Sequence, residues 1–145
     1  MITVLIDKNP ILRKGLNILL TEHFDNELIL ESDSISTFHQ QYTNVLPNLI
    51  ILGLGDPLPS NNLETLRLAR KWYGLGLTVV YAKIPDARML KQFFKFGIHG
   101  CLTRNTRIPE FLKCVSQVLS GNRFIGSDLE ELILSTIFLE AKNSP

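Results

Sequence analysis

Apolar and polar positions along the chain alternate between short apolar runs and longer stretches with helical spacing. Ile2–Ile6 is a β-branched apolar run that stops at Asp7, Lys8 and Asn9, which predicts a buried strand. Pro10 suits a helix N-terminus, and Leu12, Leu16, Leu19 and Leu20 recur behind it at helical intervals. Leu28–Glu31 predicts a second strand, and Ser34 or Ser36 a cap for a helix reaching about Tyr42. Leu49–Leu52 is apolar without a break, as in a strand covered on both faces. The Gly-, Pro- and Asn-rich stretch Gly53–Asn62 predicts a loop, and Leu63–Tyr73 a helix with Leu63, Leu66, Leu68 and Ala69 inward. Leu77–Ala82 predicts a fourth strand, Ala87–Phe96 a helix closed by Gly97, Gly100–Thr103 a fifth strand, and Ile108–Leu119 a helix with Gly121 just past its end. Ser127 and Glu130 have the spacing of a capping box for a last helix, Asp128–Ala141, whose apolar stripe includes Leu129, Leu132, Ile133, Ile137 and Leu139.

Strand and helix thus alternate five times, which predicts an α/β domain with a parallel sheet and helices on both faces. In such sheets the functional loops gather at the carboxyl ends of the strands. Here those loops are Asp7–Asn9, Gly53–Asp56, Ala82–Ile84 and Arg104–Asn105. The 145 residues fit one domain, and 45% hydrophobic with 20% charged residues is enough to bury a core. A net charge of +1 gives no reason to expect direct nucleic-acid or membrane binding. Cys101 and Cys114 lack metal-ligand spacing and sit in apolar segments, so buried thiols in a reducing compartment are expected. With no basic leader and no membrane-length apolar run, a cytoplasmic location is expected.

Four pieces resemble the receiver domains of bacterial response regulators, above all the receiver half of LuxR/NarL-type transcription factors. They are 4–16 (VLIDKNPILRKGL), 47–54 (PNLIILGL) with Pro57 after it, 97–104 (GIHGCLTR) and 118–125 (VLSGNRFI). The resemblance implies a flavodoxin-like (CheY-like) doubly wound sheet of five parallel strands in the order 2-1-3-4-5. It also implies a receiver-like domain over 1–126, with 127–145 an extra C-terminal helix. In LuxR-type regulators that helix leads toward a DNA-binding helix-turn-helix, and none occurs within these residues.

The family's chemistry uses an aspartate ending the third strand as nucleophile toward a phosphoryl group. An acidic pair after the first strand helps hold Mg²⁺, while a Thr or Ser ending the fourth strand and a Lys ending the fifth contact the phosphoryl group. In the matching positions this chain has Gly53 for the nucleophile, Asp7 and Lys8 for the acidic pair, Ala82 for the hydroxyl and Arg104 for the lysine. Cys101 takes the place of the switch aromatic on the fifth strand. The remnant pocket, read as Asp7 against Lys8 and Arg104, is expected to be net positive. Like charges repel there by several kcal/mol at an effective dielectric constant of about 20, so no Mg²⁺ and no other cofactor is expected. Lys8 or Arg104 is expected to pair with Asp7, the alternative being that both point into solvent. Asp56, before Pro57, reads as a loop aspartate that stabilises its turn, not as a displaced nucleophile.

Met89, Phe93 and Phe96 share one helical face, and Leu90, Phe94 and Gly97 an adjacent one better suited to the core. The first face, with Leu132 and Leu139 of the last helix, is the candidate surface for a protein partner or homodimer; the alternative is that the rings fill space left by the missing aromatic. His23, His39 and His99 are scattered and read as surface or helix-end residues. Gly53-Leu54-Gly55 lacks the third glycine of a phosphate-binding turn. The expected function is therefore an atypical receiver: no enzyme, signalling without phosphorylation, touching DNA only through an attached domain. The competing expectation is a small flavodoxin-like protein that binds an anion at the strand ends.

Overall fold

Among the described residues, six parallel strands and six helices alternate along the chain. The computed structural model describes residues 1–143 apart from Glu27, Leu75 and Pro85, with side chains described up to residue 135. The strands are β1 (Ile2–Ile6), β2 (Leu28–Ser32), β3 (Leu49–Leu54), β4 (Leu77–Ala82), β5 (Gly100–Leu102) and β6 (Phe124–Ile125). The helices are α1 (Pro10–His23), α2 (Ile35–Gln41), α3 (Pro59–Tyr73), α4 (Ala87–Lys95), α5 (Ile108–Leu119) and α6 (Ser127–Asn143). The sheet order is β2-β1-β3-β4-β5-β6, the doubly wound order with one strand added at its edge.

Period-two alternation divides the strand side chains between two cores. Val4, Ile6, Ile50, Leu52, Val80 and Cys101 face one side, where α2, α3, α4 and the first turn of α6 cover them through Phe38, Leu66, Leu90, Phe93 and Leu129. Leu5, Leu49, Ile51, Val79, Tyr81 and Leu102 face the other, covered by Leu16 and Leu20 of α1 and by Phe111, Cys114 and Val118 of α5. Asn9, Ser34 and Asp86 cap α1, α2 and α4 through side-chain oxygens that accept backbone N–H bonds. Gly97, at φ 77°, ends α4 in the left-handed region that L side chains avoid.

Three local expectations are corrected. β6 is a sixth strand, paired Gly100↔Phe124 and Cys101↔Ile125; two residues are too few to carry a period. α3 begins at Pro59, not Leu63, because Pro59 presets the first helical φ. Asp56 binds Asn61 and Asn62 across that turn, so residues that read as loop by composition are helical. Ser127 does not form a capping box with Glu130. Its N–H donates to Glu110 Oε1 at 2.7 Å and its hydroxyl to Oε2 at 3.3 Å, while the Gly126 carbonyl accepts the first N–H groups of α6.

Candidate functional site

The carboxyl ends of β1, β3 and β4 bring together Asp7, Gly53 and Tyr81. Gly53 and Tyr81 are register partners across β3 and β4. Asp7 is 3% exposed. Its Oδ1 accepts the Asn9 N–H at 2.7 Å, and its Oδ2 accepts the Tyr81 hydroxyl at 2.5 Å. The guanidinium of Arg13 donates to the Asp7 carbonyl oxygen. Arg104, in the loop after β5, approaches Asp7 Oδ2 to 3.6 Å and lies over the Tyr81 ring at 5.5 Å from its centroid. Burial, reinforced by the bond to Asp7, pushes the Tyr81 phenol well above its ordinary pKa.

This network occupies the volume that a side chain at position 53 would need. A Cβ on Gly53 would lie 1.9 Å from Asp7 Oδ2 and 2.5 Å from both Cζ and the hydroxyl oxygen of Tyr81. Gly55 serves the same end, since a Cβ there would sit 2.5 Å from the Arg104 guanidinium. Both glycines are therefore matched to the side chains packed over them. Changing Tyr81 to Phe leaves Asp7 Oδ2 without its hydroxyl donor. Stability is expected to fall by about 2 kcal/mol, the usual cost of removing a partner from a buried charged acceptor. Urea unfolding of the variant against wild type measures this, and an unchanged midpoint would refute the bond's contribution.

Of the expected partners for Asp7, the structure brings up Arg104 and not Lys8. Lys8 is largely exposed, with Nζ 3.9 Å from Asp56 Oδ2. Asp56 accepts the Leu58 N–H at 2.9 Å and Asn61 Nδ2 at 3.1 Å, and these bonds, the backbone one first, hold its carboxyl below the usual range. It is a turn-forming aspartate in the loop between β3 and α3. The expected net positive pocket is corrected: Asp33, Asp56 and Glu64 join Asp7, Lys8 and Arg104 in lining the cleft, and even with Glu64 paired to Arg67 of its own helix the carboxylates outnumber the cations. Even so, among the described residues no three His, Cys, Asp or Glu side chains converge as a metal site.

Ala82 and Cys101 are both buried in the core of the α3–α4 face, where Phe93 and Leu129 pack with them. Phe93 is 1% exposed, so its assignment to an exposed partner patch is corrected: its ring is core, on the same side of α4 as Ala87 and Leu90. Met89, Phe96 and Leu132 are half-buried and packed against that core. The side chain of Leu139 lies outside the described residues. Sequence reasoning missed Tyr81 altogether. Its position directly before Ala82 signals a place near the end of β4, and the register of β3 with β4 is what puts its polar-tipped ring opposite Gly53.

No family model matches the chain. Among curated proteins it is similar to the transcriptional activator protein ExaE of Pseudomonas putida, 27% identical over 126 residues, covering 87% of this chain and 58% of that protein. It is also similar to the nitrate/nitrite response regulator protein NarL of Escherichia coli K12, 25% identical over 134 residues, covering 92% and 62% respectively. The chain thus spans about three fifths of the length of the curated relatives it matches. Among solved structures, a LuxR-family two-component response regulator from Aurantimonas sp. SI85-9A1 superposes with a TM-score of 0.81 at 20% identity, covering 94% of this chain and 97% of that one. The isolated receiver domain of RcsB from Salmonella enterica serovar Typhimurium superposes with a TM-score of 0.76 at 12% identity, covering 92% and 98%. The architecture is that of a response-regulator receiver domain, and in sequence the chain resembles regulators of the LuxR/NarL type.

Proposed function

We propose that this receiver domain signals without accepting a phosphoryl group, and that its output passes through protein contacts, with a partner or a second copy. The observation that carries this reading is the filled space at Gly53, where Asp7 Oδ2 and the Tyr81 phenol stand in the volume of a nucleophile. An in-line transfer needs a carboxylate, a metal and a cation converging on one point. Here the first-strand aspartate is hydrogen-bonded to a tyrosine, and the cation from the β5 loop is turned toward that pair. With no carboxylate at the end of β3, no catalytic role is assigned to the cleft. An anion-binding role for the cleft has less support, because Asp7, Asp33, Asp56 and Glu64 all line it. The relatives named as a transcriptional activator and a response regulator support a role in cytoplasmic transcriptional control, with DNA contacted through an attached domain.

Incubation with acetyl phosphate and Mg²⁺, followed by intact mass measurement, tests the reading. No phosphoryl increment is expected under conditions that label a receiver with an intact site. A stable adduct on Asp7 or Asp56 would overturn it.

A further inference from the structure

A second cavity, of about 440 Å³, lies between α1 and α5 and shares Arg104 with the cleft. Leu12, Leu16 and Leu19 of α1, Leu102 of β5 and Ile108 and Phe111 of α5 make it apolar. Its size falls within the range of small-molecule pockets, about 300–1,000 Å³. Gly15 keeps one side of it open, for a Cβ there would meet nothing within 4 Å. The cationic group in this wall is Arg104. Among the described residues its guanidinium makes no hydrogen bond; its contacts are the 3.6 Å ion pair with Asp7 and the face of Tyr81. A guanidinium presents five donors in a planar fork matched to a carboxylate, so this one has donors to spare beside an apolar groove.

We propose that the α1–α5 groove binds a small amphipathic carboxylic acid, its alkyl or aryl tail among the leucines and its carboxylate on Arg104. Apolar walls with one convergent charged group are the usual composition of such a site. Binding draws on the same guanidinium that faces Asp7 and Tyr81, so occupancy of the groove reports directly to the strand-end network. The proposal stands apart from the phosphate-independent reading, since the groove lies outside the position of the missing nucleophile.

Decanoate below its micelle concentration is the probe, with decanol as its uncharged counterpart, each followed by amide NMR on the whole chain. Decanoate is expected to shift the amides of Gly15, Thr106 and Phe111 and to bind more tightly than decanol by about tenfold, the usual worth of a charge-assisted bond. Arg104→Gln is expected to erase that preference while leaving decanol binding in place. Gly15→Leu, at an open helix position where leucine favours the fold, is expected to block both. Equal binding of the two probes by wild type, shifts mapping elsewhere, or no shift at all would overturn the proposal. So would groove amides that respond to protein concentration and not to decanoate, which would give the groove to a second copy of the chain.

Discussion

Replacing Gly53 with aspartate is expected to lower stability by about 3 kcal/mol and to leave the domain unphosphorylated. An aspartate does not fit at this position, for a steric and an electrostatic reason. The new Cβ lands 1.9 Å from Asp7 Oδ2 and 2.5 Å from the Tyr81 ring end, so one or both side chains must move. Moving either breaks the 2.5 Å bond between them, in a place where Asp7 is 3% exposed. Overpacking of this kind costs about 1–3 kcal/mol, and an unpaired buried carboxylate adds a comparable amount. The new carboxylate also stands against Asp7, and two like charges that close repel each other. Urea unfolding monitored by circular dichroism gives the stability, and intact mass after acetyl phosphate treatment gives the chemistry. Pairing the change with Tyr81→Val should recover part of the loss, a non-additive outcome that ties the cost to contact between positions 53 and 81. A midpoint equal to wild type, or a phosphoryl adduct on the single variant, would show that the space is not filled in solution.

The fold was legible because its strands are continuous apolar runs and its helices carry their own boundary signals. β1 and β4 begin and end where the apolar runs do, and α5 runs from Ile108 to Leu119 just as its spacing and Gly121 indicate. Backbone architecture, with little residue identity, is what the chain shares with receiver structures at 12–20% identity. Features that depend on register or on distant parts of the chain were not legible. The strand pattern shows that Tyr81 belongs to β4, but only the pairing of β3 with β4 shows that it stands opposite Gly53. Asp33 and Glu64 reach the cleft from the segment before α2 and from the first turns of α3. Glu64 is far from any strand end in sequence, and Asp33, directly after β2, belongs to an edge strand whose end shows its approach to the cleft only once the sheet is assembled. The charge of the pocket read from Asp7, Lys8 and Arg104 therefore came out with the wrong sign. On α4, residues at spacing three and four share a broad face. The side that meets the sheet is Ala87, Leu90 and Phe93, which a helical wheel alone does not distinguish from Met89, Phe93 and Phe96.

Stability is expected to fall steeply above pH 9, and the two cysteines are the main reason. Burial first, and then the nearby thiol of Cys114 for Cys101 and the Glu110 carboxylate for Cys114, push both from 9.0 to about 12. In the unfolded chain these thiols ionise from about pH 9 upward, whereas in the folded chain they keep their protons to about 12. Across that window the unfolded state binds fewer protons, so stability falls as pH rises. Below pH 9 the contribution is fully present. Each thiol removes about 1.4 kcal/mol per pH unit inside the window, so together they remove about 3 kcal/mol between pH 10 and 11. Against a domain stability of about 5–15 kcal/mol that is a large fraction. Tyr81 and Tyr73, whose phenols are also raised by burial, add to the loss above pH 10. Urea midpoints at pH 8, 9, 10 and 10.5 measure the slope. The Cys101→Ala/Cys114→Ala variant should start less stable, because it loses packing, yet descend less steeply; parallel slopes would remove the thiols as the cause. The same burial keeps both sulfurs protonated at neutral pH, and a buried neutral thiol is a poor nucleophile and a poor target for oxidants. Cys101 therefore shares the core with Phe93 and Leu129 as a small apolar side chain and supplies no redox trigger.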